Sequence, residues 1–192
     1  MDPINILTGI NLIATFAANL GGAQRGLKSS VSQAKEKPVT YLQKLPLYLS
    51  MITLVLLILA IFQIGTVGYK ELYRNIRLIG LIVYVVFSWV QIWAYRKLGN
   101  NYSTEVVITK NHQLITKGPF KVIRHPQYLS QFLLDLGAGF ATLSVILVPL
   151  AIIELPFLIL RASLEDKLLA KHFSTAFENY KKRTGFMLPF IG

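Results

Sequence analysis

Arg124 and His125, followed at once by Pro126, stand where a basic run (GPFKVIRHP, 118–126) gives way to an apolar one (QYLSQFLLDLGAG, 127–139). Further along, Arg161 and Glu165 lie four residues apart. These residue types can do chemistry. An imidazole hydrogen-bonds or moves a proton near neutral pH, a guanidinium holds a carboxylate in a planar fork, and a carboxylate accepts from hydroxyls or an ammonium. On a helix, Arg161 and Glu165 share a face. They read either as a surface ion pair, worth about 0.3–0.5 kcal/mol, or as one cationic and one anionic contact for a ligand. Asp135 and Glu154 lie deeper in apolar sequence, where ionisable groups are functional candidates by default; protonation or a place near the interface is the other reading. Arg124 is equally a lipid-headgroup anchor or a ligand contact.

Other chemistries lack their signatures. The three histidines form no HxxxH or HExxH pattern, so no metal site is predicted, and His172 reads as a surface residue. The chain has no cysteine, which removes disulfides, thiolate metal sites and a cysteine nucleophile. GxGxxG, P-loop and GxSxG sequences are absent, arguing against a Rossmann cofactor domain or a serine hydrolase.

The elements that must position these groups are membrane helices. The 192 residues are 53% hydrophobic and 15% charged, whereas charged residues make up about 25% of a soluble domain. Apolar stretches suited to spans of roughly 20 residues cover 4–22, 45–67 and 76–95, the last ending in Trp89, Trp93 and Tyr95 at interfacial positions. The stretch 127–160 is too long for one span and short for two. It predicts a tight helical hairpin turning near 142–144, with short, tilted or incompletely spanning arms and a kink at Pro156. The predicted fold class is therefore an all-α integral membrane protein of about five transmembrane helices, the last two forming a helical hairpin. It forms one domain, 1–192, with three N-terminal helices in 4–95 and a catalytic region in 96–192. The start MDPINILTGI has no basic n-region and reads as a first membrane helix rather than a signal peptide.

Net charge is +11, and the basic residues lie mostly between the apolar runs. That distribution fits loops facing anionic lipid and predicts no nucleic-acid partner; no obligate protein partner is implied either. The segments 21–44, 96–126 and 161–192 are basic, whereas 68–75 has only Lys70 and Arg74 and the hairpin turn has no basic residue. By the positive-inside rule the N-terminus is outside and the C-terminus cytoplasmic, as an odd number of spans requires. In the first span Asn5, Thr8, Asn11, Thr15 and Asn19 recur on one helical face. That face serves interhelical hydrogen bonds or a ligand path.

The hairpin returns its second arm to the side it left, so His125 and the pair Arg161/Glu165 can meet at the cytoplasmic surface. Between the third span and the hairpin, Val106-Val107-Ile108 and Leu114-Ile115 flank a polar turn at Lys110-Asn111-His112. This segment reads as a small hairpin or an irregular loop.

HQLITKGPFKVIRHPQY, the apolar hairpin and RASLEDKLLAKHFSTAFENYKKRTGFMLPFI together resemble the isoprenylcysteine carboxyl methyltransferases over residues 105–191. The shared elements are an H-x-L-[VI]-T-x-G-[PV]-[YF] run, Arg-His-Pro-x-Tyr, an acidic pair on the following helix and a Tyr-x-x-[YF]-Lys-x-Arg element, here AFENYKKR, before Pro-Phe-Ile. Arg-His-Pro-x-Tyr alone is less specific, since phospholipid N-methyltransferases and sterol reductases use similar sequences. The resemblance implies S-adenosyl-L-methionine as methyl donor, S-adenosyl-L-homocysteine as product, and a lipophilic small-molecule or prenylated-peptide acceptor. It implies cofactor contacts from Glu105, His112, Gln113, Leu114, Ile115, Phe120, His125 and Glu165, with Tyr128 and Leu129 shaping the pocket and Arg161 taking the acceptor carboxylate. Leu114, Ile115 and Leu129 also have a packing reading. Glu105 departs from an amide more usual in the family, and Phe120 replaces a frequent tyrosine.

The implied function is methyl transfer at the membrane surface, most directly onto the carboxylate of a prenylated-cysteine-like or other lipophilic acceptor. A phospholipid N-methyltransferase, an NADPH-dependent membrane reductase and a non-enzymatic membrane scaffold are the alternatives.

Overall fold

The computed structural model describes residues 2–32 and 34–191, the side chains of 21–32 and 34 excepted. A lipid-embedded backbone must satisfy its own hydrogen bonds, and the apolar runs accordingly fold as helices α1 (Pro3–Ser32), α2 (Leu45–Ile61), α3 (Arg74–Leu98), α4 (Pro126–Thr142) and α5 (Leu147–Phe173), followed by a short α6 (Thr175–Lys181). Among the described residues four stretches, Pro3–Leu20, Tyr41–Ile61, Glu71–Asn101 and Leu147–Phe173, are long and apolar enough to cross a membrane. At 1.5 Å per residue α4 reaches only about 25 Å. Ile13, Phe16, Ile79, Ile82, Ile152 and Ile153 point outward from the bundle, as residues facing hydrocarbon do.

The last two long helices form a hairpin whose turn falls at 143–146, beside the predicted place. Leu143 adopts a left-handed conformation (φ 55°) and donates back to Gly139 and Phe140, and Ser144 Oγ accepts from Leu147 N (3.3 Å). The arms differ from expectation. α4 is short, but α5 runs through Pro156 and on to Phe173, so Arg161 and Glu165 belong to the hairpin's second arm itself. Strong helix formers in RASLEDKLLAKHF keep the helix going. Its apolar side there packs Leu164, Leu168 and Leu169 against Val106 and Ile108.

Two ends of the bundle can be distinguished. At one, the α2–α3 link meets the hairpin turn through Val67 N to Leu143 O (2.9 Å) and Val145 N to Gly65 O (3.2 Å). The start of α1 lies here too. Arg77, buried on α3, donates to both oxygens of Asp2 (2.8 and 3.0 Å), to Asn5 Oδ1 (2.9 Å) and to the Ala141 carbonyl (2.8 Å). At the other end, strand β1 (Ala34–Glu36) pairs antiparallel with β2 (Ile108–Thr109). The 100–116 segment is thus not a hairpin on itself. Its short strand finds its ladder partner in the α1–α2 connection, a non-local choice that local alternation cannot specify. Gln43 reinforces the junction by donating to Val106 O (2.9 Å) and accepting from Val106 N (2.8 Å).

The polar face of α1 is spent largely inside the bundle. Asn5 donates to Ile61 O (3.1 Å), Asn11 donates to Ser88 Oγ (3.0 Å) and accepts from Trp89 Nε1 (3.0 Å), and Thr8 and Thr15 bond back to their own helix. Asn5 and Asn11 thus follow the interhelical reading. α3 and α4 touch backbone to backbone: a Cβ built on Gly137 would lie 2.7 Å from Tyr84 N and 2.9 Å from Gly80 O. Because neither obstacle is a flexible side-chain end, Gly137→Ala must push the helices apart. A loss of about 1–3 kcal/mol is expected, read as a lower thermal midpoint in detergent. Gly68→Ala, with nothing within 4 Å of the new Cβ, should melt like the parent.

Candidate functional site

Pro126 occupies the first turn of α4, where its missing N–H costs nothing. It also drives the preceding residue out of helical conformation. His125 accordingly sits at φ −123°, ψ 57°, its backbone N–H bonded to Phe186 O (3.1 Å) and that of Arg124 to Gly185 O (2.8 Å). The C-terminal segment is therefore stitched directly to the loop–helix junction. His125 is fully buried, and its ring stacks on Tyr128 with Phe186 edge-on. Its Nε2 lies 2.8 Å from Asp166 Oδ1, and its Nδ1 lies 3.4 Å from Glu165 Oε2 without completing a hydrogen bond. Burial works against the imidazolium, but the Asp166 and Glu165 carboxylates outweigh it, so His125 titrates above its ordinary value.

Arg124 is neither a headgroup anchor nor a surface residue. It is buried, with Nε on Asp166 Oδ2 (3.1 Å) and Nη1 on the carbonyls of Lys181 (3.3 Å) and Thr184 (2.7 Å). Asp166 thus joins Arg124 to His125 and fixes both to α5. Sequence reasoning used the acidic pair but carried only Glu165 forward; the Glu165-Asp166 dipeptide was the signal that both matter, since adjacent residues on a helix project about 100° apart and can serve different partners.

Arg161 is buried and spends its donors internally. Nε donates to Tyr128 Oη (3.0 Å), Nη1 to the carbonyls of Leu42 (3.1 Å) and Gln43 (3.3 Å), and Nη2 to that of Thr104. The surface ion-pair reading with Glu165 does not describe it. Four of the five guanidinium N–H groups tie together the α1–α2 connection, the loop before β2 and α4.

A cavity opens among these groups, enclosed by α2, α3, α4, α5 and the 101–115 loop. Ten of the residues singled out from sequence line it: Arg161 and Glu165 from α5, His125 and Tyr128 from the start of α4, and Glu105, His112, Gln113, Leu114, Ile115 and Phe120 from the loop. Leu129 does not line it. One residue past Tyr128, it projects about 100° away around α4. Glu105 is held by Lys37 (2.7 Å), Gln113 N donates to Asn101 Oδ1 (2.9 Å), and the Phe120 carbonyl accepts from Tyr180 Oη (2.7 Å). Burial holds the His112 imidazole below its ordinary value, against the pull of Glu165. Gln127, which sequence reasoning passed over, also faces the cavity and donates weakly to Glu165 Oε2 (3.5 Å). Three buried polar atoms on these walls, His112 Nδ1, His125 Nδ1 and Gln127 Oε1, have no hydrogen-bond partner among the described residues.

The sequence model of the isoprenylcysteine carboxyl methyltransferase (ICMT) family matches residues 78–171, from α3 through the loop and hairpin to Arg161, Glu165 and Asp166. Over these residues, just under half of the chain, the sequence is that of the ICMT family. Among curated relatives, the protein-S-isoprenylcysteine O-methyltransferase of Saccharomyces cerevisiae is 28% identical over 121 residues, 59% of this chain and 48% of the relative. That of Tribolium castaneum is 26% identical over 127 residues, 65% and 45% of the two chains. The nickel-cobalt-cadmium resistance protein NccN of Alcaligenes xylosoxydans xylosoxydans is 35% identical over 83 residues, 42% and 38%. The matched regions thus span less than half the length of each of these relatives. A solved structure titled as the eukaryotic intramembrane Ras methyltransferase ICMT superposes with a TM-score of 0.62 at 19% identity, covering 100% of this chain and 69% of that one. The likeness extends to the fold, and with the apolar helices it makes this a multi-pass membrane protein.

The His125 network has a pH signature. Because its pKa is raised on folding, its stabilising contribution is full below the unfolded value of about 6.5 and is lost as pH rises through the higher folded value. The thermal midpoint of the parent should exceed that of His125→Gln by a margin that shrinks between pH 6 and pH 9. A margin independent of pH would remove the imidazolium from the account.

Proposed function

We propose that this chain transfers a methyl group from S-adenosyl-L-methionine to the carboxylate of a prenylated-cysteine-like or other lipophilic acceptor, at the cytoplasmic face of the membrane with its own N-terminus outside. The observation that carries the reading is the cavity, which joins a polar loop to the interior of the helix bundle. Its loop side holds orphaned polar atoms, His112 Nδ1 and His125 Nδ1, beside the Glu165 carboxylate. Its other side is walled by Pro46 and Leu47 of α2 and Leu158 of α5. Leu47 is 42% exposed, and an accessible apolar side chain on this wall supports a lateral entrance from lipid.

The residues present fit the cofactor. Glu165 accepts from ribose hydroxyls or the ammonium, and His125 and His112 each have a ring nitrogen to offer. When bound, the sulfonium supplies an electrophilic methyl group. A carboxylate acceptor is already ionised at neutral pH, so the chain needs no general base. Its work is alignment and exclusion of water. Arg161 supplies the positive charge for the acceptor carboxylate. One Nη2 N–H remains beyond its internal bonds, and a two-point grip requires release of the Thr104 carbonyl.

Calorimetry on the detergent-solubilised protein tests the cofactor directly: S-adenosylhomocysteine should bind and NADPH should not. Binding of NADPH alone would overturn the reading in favour of a reductase, and binding of neither would favour a scaffold. Arg161→Ala should lower turnover at least 100-fold while changing S-adenosylhomocysteine affinity less than threefold. Undiminished turnover at saturating acceptor would remove Arg161 from the reaction.

A further inference from the structure

Beyond α6 the chain turns back on the start of α4. Gly185 N donates to Val122 O (3.1 Å) and Gly185 O accepts from Arg124 N (2.8 Å), a parallel bridge centred on Ile123. Phe186 O accepts from His125 N (3.1 Å), and Phe186 N closes the turn by donating to Ile191 O (2.7 Å). A Cβ on Gly185 would collide with the Leu188 carbonyl and lie 2.7 Å from Phe190 N, so the turn folds over a position with no room for a side chain. Thr184 and Met187, at its base, are buried. Its tip is not: Phe190 is 90% exposed, and Leu188 and Ile191 beside it are exposed too. Phe190 holds this place at φ 62°, a region that bulky residues rarely adopt. Val122, on the other arm of the bridge, is also exposed.

Exposed apolar side chains gathered at one place mark a contact with another protein or with a membrane. Position and charge decide between them. The bridge holds the turn beside Arg124 and His125, immediately before Pro126 opens α4, so the turn lies at the level where apolar sequence enters the bundle. Lys121 precedes Val122 on one arm, and Lys181, Lys182 and Arg183 precede Gly185 on the other. All four are exposed, and none has an ion-pair partner among the described residues. An apolar tip flanked by cations is complementary to an anionic leaflet, whose phosphates take lysine and arginine while the acyl boundary takes the tip. A second copy or a partner protein is poorly served. A stable protein interface takes roughly 20–30 residues a side, and four apolar side chains fall well short.

We propose that this turn is an interfacial anchor: Leu188, Phe190 and Ile191, with Val122, seat in an anionic lipid leaflet on the loop side of the bundle, and Lys121, Lys181, Lys182 and Arg183 meet its phosphates. Because Gly185 and Phe186 hold the backbone of Arg124 and His125, the lipid surface then steadies one wall of the cavity. Seating of the turn is independent of methyl transfer, and depth rather than activity reads it. With no cysteine in the chain, Phe190→Cys takes a nitroxide label at a single site of the full chain, in phosphatidylcholine nanodiscs containing phosphatidylglycerol. Collisions of the label with oxygen are compared with those of a water-soluble nickel chelate. Glu178→Cys on α6 gives the aqueous reference and Ile82→Cys on the outer face of α3 the hydrocarbon reference. The label at position 190 should favour oxygen at least fivefold more than that at 178. Its ratio should drop at least threefold without phosphatidylglycerol, or with Lys121→Gln, Lys182→Gln and Arg183→Gln combined. Ile191→Cys serves in the same way should Phe190→Cys fail to fold. A label as open to nickel as that at 178 would overturn the anchor. A ratio unchanged in neutral lipid and in the neutralised variant would overturn its anionic partner. Dipolar broadening with both reagents excluded would overturn the lipid seat in favour of a second copy.

Discussion

Lipid offers no hydrogen bonds, and that absence governs this molecule. Every polar group drawn into the bundle must find its partner within the chain or be left costly. Most of them succeed. Arg77 gathers Asp2, Asn5 and the end of α4 at one side of the bundle, and Asn11 ties α1 to α3 through Ser88 and Trp89. Where no side chain was needed, the backbones of α3 and α4 close directly over Gly80 and Gly137. Small residues let helices gain van der Waals contact that burial from water cannot supply inside a membrane.

The same rule makes the exceptions informative. Hydrogen bonds hold Arg124, His125, Asp166 and Arg161 in place, and these groups frame a cavity on whose walls His112 Nδ1, His125 Nδ1 and Gln127 Oε1 are unmatched among the described residues. Rigid support and unmatched acceptors in one place are what a preorganised binding site requires. The C-terminal segment completes the frame. Its carbonyls at Lys181, Thr184, Gly185 and Phe186 receive the Arg124 side chain and the backbone of Arg124 and His125, so the order of the site depends on residues far from it in sequence.

Much of this was legible in the sequence. Apolar length announced the helices, the 127–160 stretch announced a hairpin, and the polar periodicity of α1 announced an inward face. Proline after His125 marked the loop–helix boundary to the residue. What stayed hidden was non-local pairing. Nothing near Ile108 in sequence says that its strand partner is Ala34–Glu36, and nothing near Arg161 says that its donors go to Leu42, Gln43 and Thr104. The end of α5 was misjudged for a related reason. Hydropathy falls after Leu160, but helical propensity and the contact of Leu164 and Leu168 with Val106 and Ile108 carry the helix more than three further turns, to Phe173. Hydropathy measures where lipid stops, and a helix can outlast it.

Arg161 links these arguments. A guanidinium held by three backbone carbonyls and a phenol is desolvated with four of its five N–H groups bonded, which keeps its charge in a site that water would otherwise screen. The same bonds make it a sensor of its surroundings. Leu42 and Gln43 lie at the start of the membrane-crossing α2 stretch, Thr104 lies two residues from the Gln43–Val106 clasp, and Tyr128 stacks on His125. A ligand that drew Arg161 away from Thr104 would take one hydrogen bond from the loop carrying Glu105 and His112. In the proposed reaction the acceptor carboxylate and the Thr104 carbonyl would compete for the same Nη2 donors.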